Sequence, residues 1–323
     1  MKMIIRLSLC VISFLFIFSV FADVVRTGKV TFSAYEKDEK TGFMVICYYM
    51  MNADGSDIEK LVDRNIKDGN EIYQVQGPFS LSPDCKKVVF LINGENARNI
   101  AILNIESHKI ENLTKKTINV NTPIHPRWSS DGRQIIFSDI STNNIYIIDS
   151  DGSNIKKIGN GNNPDWSPDG QEIAFADGDN IFTMRIDGSN EKKIATSPTQ
   201  FLNRLRWSPD RKQILFTTYR NDGVNHVYLV DSDGNNLMEI NDPIGYVCWS
   251  PDGKKIAFVK QDSGKPWNEV HIWVMNPDGS EPKRLTNNEG GESDIDWRAP
   301  VFIGVSPSSN TLKTMWGKVK SSP

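Results

Sequence analysis

The sequence predicts an all-β, six-bladed β-propeller of four-stranded antiparallel blades, and three observations predict it. A Trp-Ser-x-Asp-Gly block followed by Phe recurs through the chain. Each of the four Trp-bearing copies is followed by a short apolar strand that ends in an Asp-Gly turn. The two ends of this array are complementary fragments of one further unit. Self-similarity at a period of about 40 residues is the mark of a repeat architecture.

The block reads Trp128-Ser129-Ser130-Asp131-Gly132 with Phe137, then Trp166-Ser167-Pro168-Asp169-Gly170 with Phe175. It continues as Trp207-Ser208-Pro209-Asp210-Arg211 with Phe216, and Trp249-Ser250-Pro251-Asp252-Gly253 with Phe258. A divergent copy is Leu81-Ser82-Pro83-Asp84-Cys85 with Phe90. In all five the Phe stands nine residues after the first position, and the copies recur every 38 to 47 residues. Pro fixes φ, Asp bonds the local backbone and Gly takes positive φ, so the block is a tight turn between two strands. The strand Ile145-Tyr146-Ile147-Ile148 then runs into Asp151-Gly152, and Val227-Tyr228-Leu229-Val230 into Asp233-Gly234, a second hairpin signal. A Lys-rich segment closes several units, such as Lys156-Lys157-Ile158 or Lys192-Lys193-Ile194. Charge at that place suits the exposed outer edge of a sheet. One such sheet cannot bury both faces alone, and stacking around an axis solves this.

Ahead of the first copy, residues 30–32, 46–51 and 58–62 supply three strands of a unit that lacks its innermost one. At the other end, Ser293-Asp294-Ile295-Asp296-Trp297 is an innermost strand with no unit behind it. The C-terminal strand is expected to complete the N-terminal blade and clasp the ring.

The first residues read as a secretory signal. Lys2 and Arg6 give a positive start, residues 7–18 an apolar core, and Val20-Phe21-Ala22 a small-residue cleavage site. The expected organisation is a signal peptide over 1–22, a propeller over 23–300 and a tail over 301–323. Export to the periplasm or outside the cell follows, with no membrane span once the signal is removed. Net charge is only −3, so no basic face for nucleic acid is implied. The mature chain keeps Cys47, Cys85 and Cys248, an odd number without metal-type spacing, read as free thiols.

Chemistry-bearing residues are sparse. Asp149-Ser150-Asp151-Gly152-Ser153-Asn154 resembles the start of a calcium loop, but Asn160 stands where the bidentate Glu belongs, and a repeated hairpin turn is the simpler reading. His226 and His271 share one slot with Asn99, Asn144 and Asn180 in other units, which points to a structural role. His125 is placed in a connection between blades, where it can face the channel. The repeated Trp residues stand beside tight turns and read as packing residues. No catalytic set, metal site or cofactor is expected.

The text Pro164-Asp165-Trp166-Ser167-Pro168-Asp169-Gly170, with Ile256-Ala257-Phe258 and Arg284-Leu285-Thr286, resembles the WD-like repeat of the TolB-type propeller family over roughly residues 28–300. The resemblance implies a propeller without the α/β domain that precedes it in TolB. The propeller of prolyl oligopeptidase-type peptidases is similar too, but those need a hydrolase domain, and no Gly-x-Ser-x-Gly occurs here.

Alternation of strands puts the Pro-Asp-Gly and Asp-Gly turns on one face of the ring. The variable connections then share the other face: 36–42, 93–98, 219–225 and 260–269 inside blades, and 63–73, 115–125, 196–203 and 287–292 between them. Variable loops on a rigid scaffold carry specificity. The expected function is a non-enzymatic scaffold, a monomer, that binds a protein partner there. The residues expected at the site are Tyr35, Arg98, His125, Tyr219, Arg220 and Trp267. A carbohydrate-acting enzyme, or a glycan- or small-ligand-binding propeller with its site at the channel mouth, is the alternative.

Overall fold

The structure is a computed structural model. It describes residues 28–37, 44–62, 65–68, 71–93, 97–115, 120–199, 202–219, 225–240, 245–261, 270–287 and 291–299. The expected signal peptide and the tail lie outside these residues, as do Arg220 and Trp267.

The chain forms six antiparallel sheets. Blade 1 is composite, with β1 (Lys29–Lys37), β2 (Met44–Asn52) and β3 (Glu59–Val62) completed by the last strand of the chain. Blade 2 holds β4 (Asn65–Asp68), β5 (Glu71–Leu81), β6 (Lys87–Asn93), β7 (Arg98–Asn104) and β8 (Ile110–Asn112). Blade 3 holds β9 (Pro123–Trp128), β10 (Gln134–Asp139), β11 (Asn144–Asp149) and β12 (Lys156–Asn160). Blade 4 holds β13 (Asn162–Trp166), β14 (Glu172–Asp177), β15 (Asn180–Arg185) and β16 (Lys192–Thr196). Blade 5 holds β17 (Leu202–Trp207), β18 (Gln213–Tyr219), β19 (Asn225–Asp231) and β20 (Met238–Ile240). Blade 6 holds β21 (Val247–Trp249), β22 (Ile256–Gln261), β23 (Val270–Met275) and β24 (Lys283–Arg284). The last strand, β25 (Glu292–Arg298), pairs with β1 in the order β25-β1-β2-β3, so the expected clasp is formed. Ser33 and Ser293 hydroxyls meet at 2.8 Å within that pairing. One difference from the sequence reading lies in blade 2. Residues 65–68, taken as part of a loop, pair with β5 and make this sheet five-stranded.

The repeat is a packing device in three places. In the first turn, Ser129 Oγ donates to Asp131 Oδ1 at 2.7 Å and accepts the Gln134 amide at 3.0 Å. The same Ser–Asp lock recurs at Ser82, Ser167, Ser208 and Ser250. The second place is the core of each blade. The repeated Phe stacks on the aromatic directly opposite in the next strand: Phe137 on Tyr146, Phe175 on Phe182, Phe216 on Tyr228, with centroids 5.3–5.5 Å apart. Such cross-strand aromatic pairs add to the area they bury.

The third is the Asp-Gly turn, which does more than reverse the chain. Gly188 has φ +89°, and a Cβ there would lie 2.2 Å from the Ile158 carbonyl oxygen of the preceding blade. Gly55 and Gly234 approach Leu285 and Ile194 carbonyls in the same way. The glycine therefore sets how closely blades stack. Gly132, in the first turn, also has positive φ, but its Cβ would meet only the Pro83 ring at 3.6 Å. We expect Gly188→Ala to cost about 2 kcal/mol or more and Gly132→Ala about 1 kcal/mol. Urea unfolding of the two variants checks this, and equal losses would contradict it.

Candidate functional site

The innermost strands β5, β9, β13, β17, β21 and β25 line the central channel, and two buried ion pairs cross it. Arg127 of blade 3 donates from Nη1 to Asp296 Oδ1 of blade 1 at 3.0 Å. Arg204 of blade 5 pairs with Asp294 of blade 1. Both acids come from the clasp strand. Asp296 also accepts the Leu81 amide at 3.0 Å and the Ser80 hydroxyl at 3.2 Å through Oδ2. Arg127 and Arg204 are both almost wholly buried, and Arg298 adds a second cation 3.6 Å from Asp296. Burial resists ionisation of Asp296, but Arg298 and Arg127 outweigh it and hold this carboxyl below the usual range.

On the loop-bearing face the channel mouth gathers aromatic and cationic groups. The Arg204 guanidinium lies 4.1 Å from the centroid of the Tyr246 ring, a cation–π contact. Asp294, and then burial, raise the Tyr246 hydroxyl, and Tyr35 acts on it in the same direction. His125 sits in β9, not in an inter-blade connection as the sequence reading had it, and has φ +52°. Its Nδ1 is enclosed, and burial, with Arg204, Arg127 and Arg98 nearby, pushes the imidazole down to about 3.

The structure thus brings Tyr35, Arg98 and His125 to one electrostatic neighbourhood with Arg204, Tyr246 and Asp294. Tyr219 stands at the end of β18, on the same face, and is 47% exposed; no contact joins it to this group among the described residues. The sequence reading missed Arg204, Tyr246 and Asp294. Their signal was a tyrosine or charge on, or just ahead of, an innermost strand, at places where neighbouring copies carry other residues.

The remaining candidates have structural explanations. Asp151 Oδ1 accepts the Ser153 amide and hydroxyl, and Asn154 reaches Asp149, so the calcium-like segment is a self-bonded hairpin. The Asn/His slot ties the third strand of a blade to its fourth, through Asn99 to Thr114, Asn180 to Thr196 and His226 to Glu239. The repeated Trp128, Trp166, Trp207 and Trp249 are buried. Burial pushes the Cys47 and Cys85 thiols up to about 11, away from the reactive thiolate. Among the described residues, no group of three or more His, Cys, Asp or Glu is placed to hold a metal ion. No helix among them is long and apolar enough to cross a membrane.

A family model described as the TolB beta propeller domain matches residues 46–248. The Tol-Pal system protein TolB of Anaeromyxobacter dehalogenans is 30% identical over 120 residues, covering 36% of this chain and 26% of the relative. That of Alcanivorax borkumensis is 33% identical over 91 residues, covering 26% and 20%. The matches thus span about a quarter of the length of these curated relatives. TolB from Acinetobacter baumannii superposes with a TM-score of 0.65 at 18% identity, covering 84% of this chain and 67% of that one. A chain of the nidogen/laminin complex superposes at 0.61 with 13% identity, covering 84% and 98%. These two likenesses show the fold alone.

Proposed function

The chain belongs to the TolB beta propeller domain family, and from that premise we propose that it is an exported, non-enzymatic scaffold that binds a protein partner through its loop-bearing face. The observation that carries the reading is the chemistry of that face. Arg204 stacks on Tyr246 at the channel mouth, with Tyr35 and Arg98 in electrostatic reach of that group, and aromatic and arginine side chains dominate binding energy at protein interfaces. Ile140 and Tyr219 stand on the same face and, at 59% and 47%, are the two most exposed large apolar side chains among the described residues. His125 stays neutral across the physiological range, so it suits packing against a partner better than acid–base work. The relatives are named for an assembly, the Tol-Pal system, which fits a binding role.

Export rests on the reading of residues 1–22, and a periplasmic or secreted location follows from it. Arg220 and Trp267 remain proposed members of the site. The test is capture from an envelope fraction after mild cross-linking, with the mature chain as bait. One protein is expected at near-equal amount, lost with Ile140→Asp combined with Tyr219→Ala and retained with Ile186→Asp on the opposite face. Capture unaffected by the loop-face variant would sink the assignment of the face.

A further inference from the structure

The opposite mouth of the channel, ringed by the Ser-Pro-Asp-Gly turns, has chemistry of its own. A cavity of about 360 Å³ opens there, lined by Arg206, Arg298, Asp165 and Asp296 among the repeated tryptophans. Arg206 is only 8% exposed. Its Nη1 donates to the Leu205 carbonyl at 2.5 Å, but its Nε is enclosed without a partner. No carboxylate among the described residues pairs with it. The enclosed Nε of Arg298 and Nη2 of Arg127 also lack hydrogen-bond partners. The acids are engaged by comparison. Asp296 serves Arg127, Leu81 and Ser80, and Asp165 accepts the Trp207 amide at 3.0 Å. Three guanidinium groups therefore face two carboxylates, and the unmet hydrogen-bonding capacity of the charged groups is all on the donor side. Burying an arginine without a counter-charge is costly, and a bound anion removes that cost. The planar fork of arginine matches the oxygens of carboxylate and phosphate.

We propose that this turn-face mouth is a binding site for a single small oxyanion, a carboxylate or phosphate group, held by Arg206 with Arg298 at the rim. The site is independent of the partner face proposed above. It lies at the other end of the channel, where Asp296 lines the cavity, and the Arg204–Asp294 pair stands on the loop-face side of it.

The experiment is calorimetric titration of the mature chain with sodium phosphate and, separately, sodium acetate, with sodium chloride at matched ionic strength as reference. Saturable one-to-one binding at about millimolar strength is expected for at least one oxyanion and not for chloride. The arm that binds identifies the source of the chemistry. Arg206→Gln is expected to weaken it about tenfold or more, as is Arg298→Gln to a smaller degree. Should Arg206→Gln fail to fold, a selenate soak of wild-type crystals locates the anion by its anomalous signal, expected against Arg206. No binding beyond chloride by the wild type, binding unchanged in a folded Arg206→Gln, or selenate seated only elsewhere would each overturn the proposal.

Discussion

Asp296→Ala lowers the unfolding free energy by about 3–5 kcal/mol, the range for removing one partner of a buried ion pair. The loss has three sources, on three different strands around Asp296. Arg127, 1% exposed in its side chain, is left as an uncompensated buried cation. The Leu81 amide and Ser80 hydroxyl lose their acceptor. Arg298 loses the carboxylate beside it. Replacing both partners at once, as Asp296→Leu with Arg127→Leu, removes the buried charge together with its counter-ion and is expected to recover much of the loss. Urea unfolding followed by tryptophan fluorescence reads both variants. A single variant within about 1 kcal/mol of wild type would mean that the ring closes without this ion pair.

The second large effect is on acid stability. His125 is held down at about 3 by burial and by neighbouring Arg204, Arg127 and Arg98, well below its ordinary value. The unfolded chain accepts a proton that the folded one refuses. The stability His125 contributes is present above about 6.5 and is lost as pH falls from there toward 3. Asp165 acts the other way. Burial pushes it up to about 6 against the opposing pull of Arg127, so its contribution is present below about 4 and fades as pH rises through 6. Between pH 6 and 4 the two oppose one another, and below pH 4 the loss from His125 is unopposed by Asp165. His125→Asn keeps a residue that tolerates positive φ and has no proton to accept. It is expected to spare about 3 kcal/mol of the loss that wild type suffers between pH 7 and pH 4. Urea unfolding at the two pH values checks this. An identical pH dependence in both proteins would show that the imidazole is not withheld from protons.

The architecture was legible because each blade is written in local chemistry. Turn residues at fixed offsets, apolar strands between them and Lys at the edge describe a four-stranded unit before any long-range contact is known. The clasp was legible from the mismatch between residues 30–62, which lack an inner strand, and Ser293-Asp294-Ile295-Asp296-Trp297, which has no blade. The extra strand β4 was not. Asn65-Ile66-Lys67-Asp68 has no repeat partner elsewhere and only pairs because β5 extends to meet it. The channel was illegible for a different reason. Arg127, the Arg204/Arg206 pair and the Asp294/Asp296 pair lie in three separate copies of the repeat, and each looks like a local variation of it. Only ring closure sets Arg127 against Asp296, 169 positions away. The same holds at the loop face. Its location follows from strand alternation, but the meeting of Arg204 with Tyr246 and Asp294 depends on the ring.

The central claim is that this ring is a scaffold whose loop-bearing face holds a protein partner. Its most direct test is site-specific photocross-linking in the source cell, with a benzophenone amino acid placed singly at Tyr35, Ile140 and Tyr219 on that face and at Ile186 on the other. The account predicts one shared cross-linked species from the loop-face positions and none from Ile186. A species captured from Ile186 alone would contradict it and move the partner to the turn face.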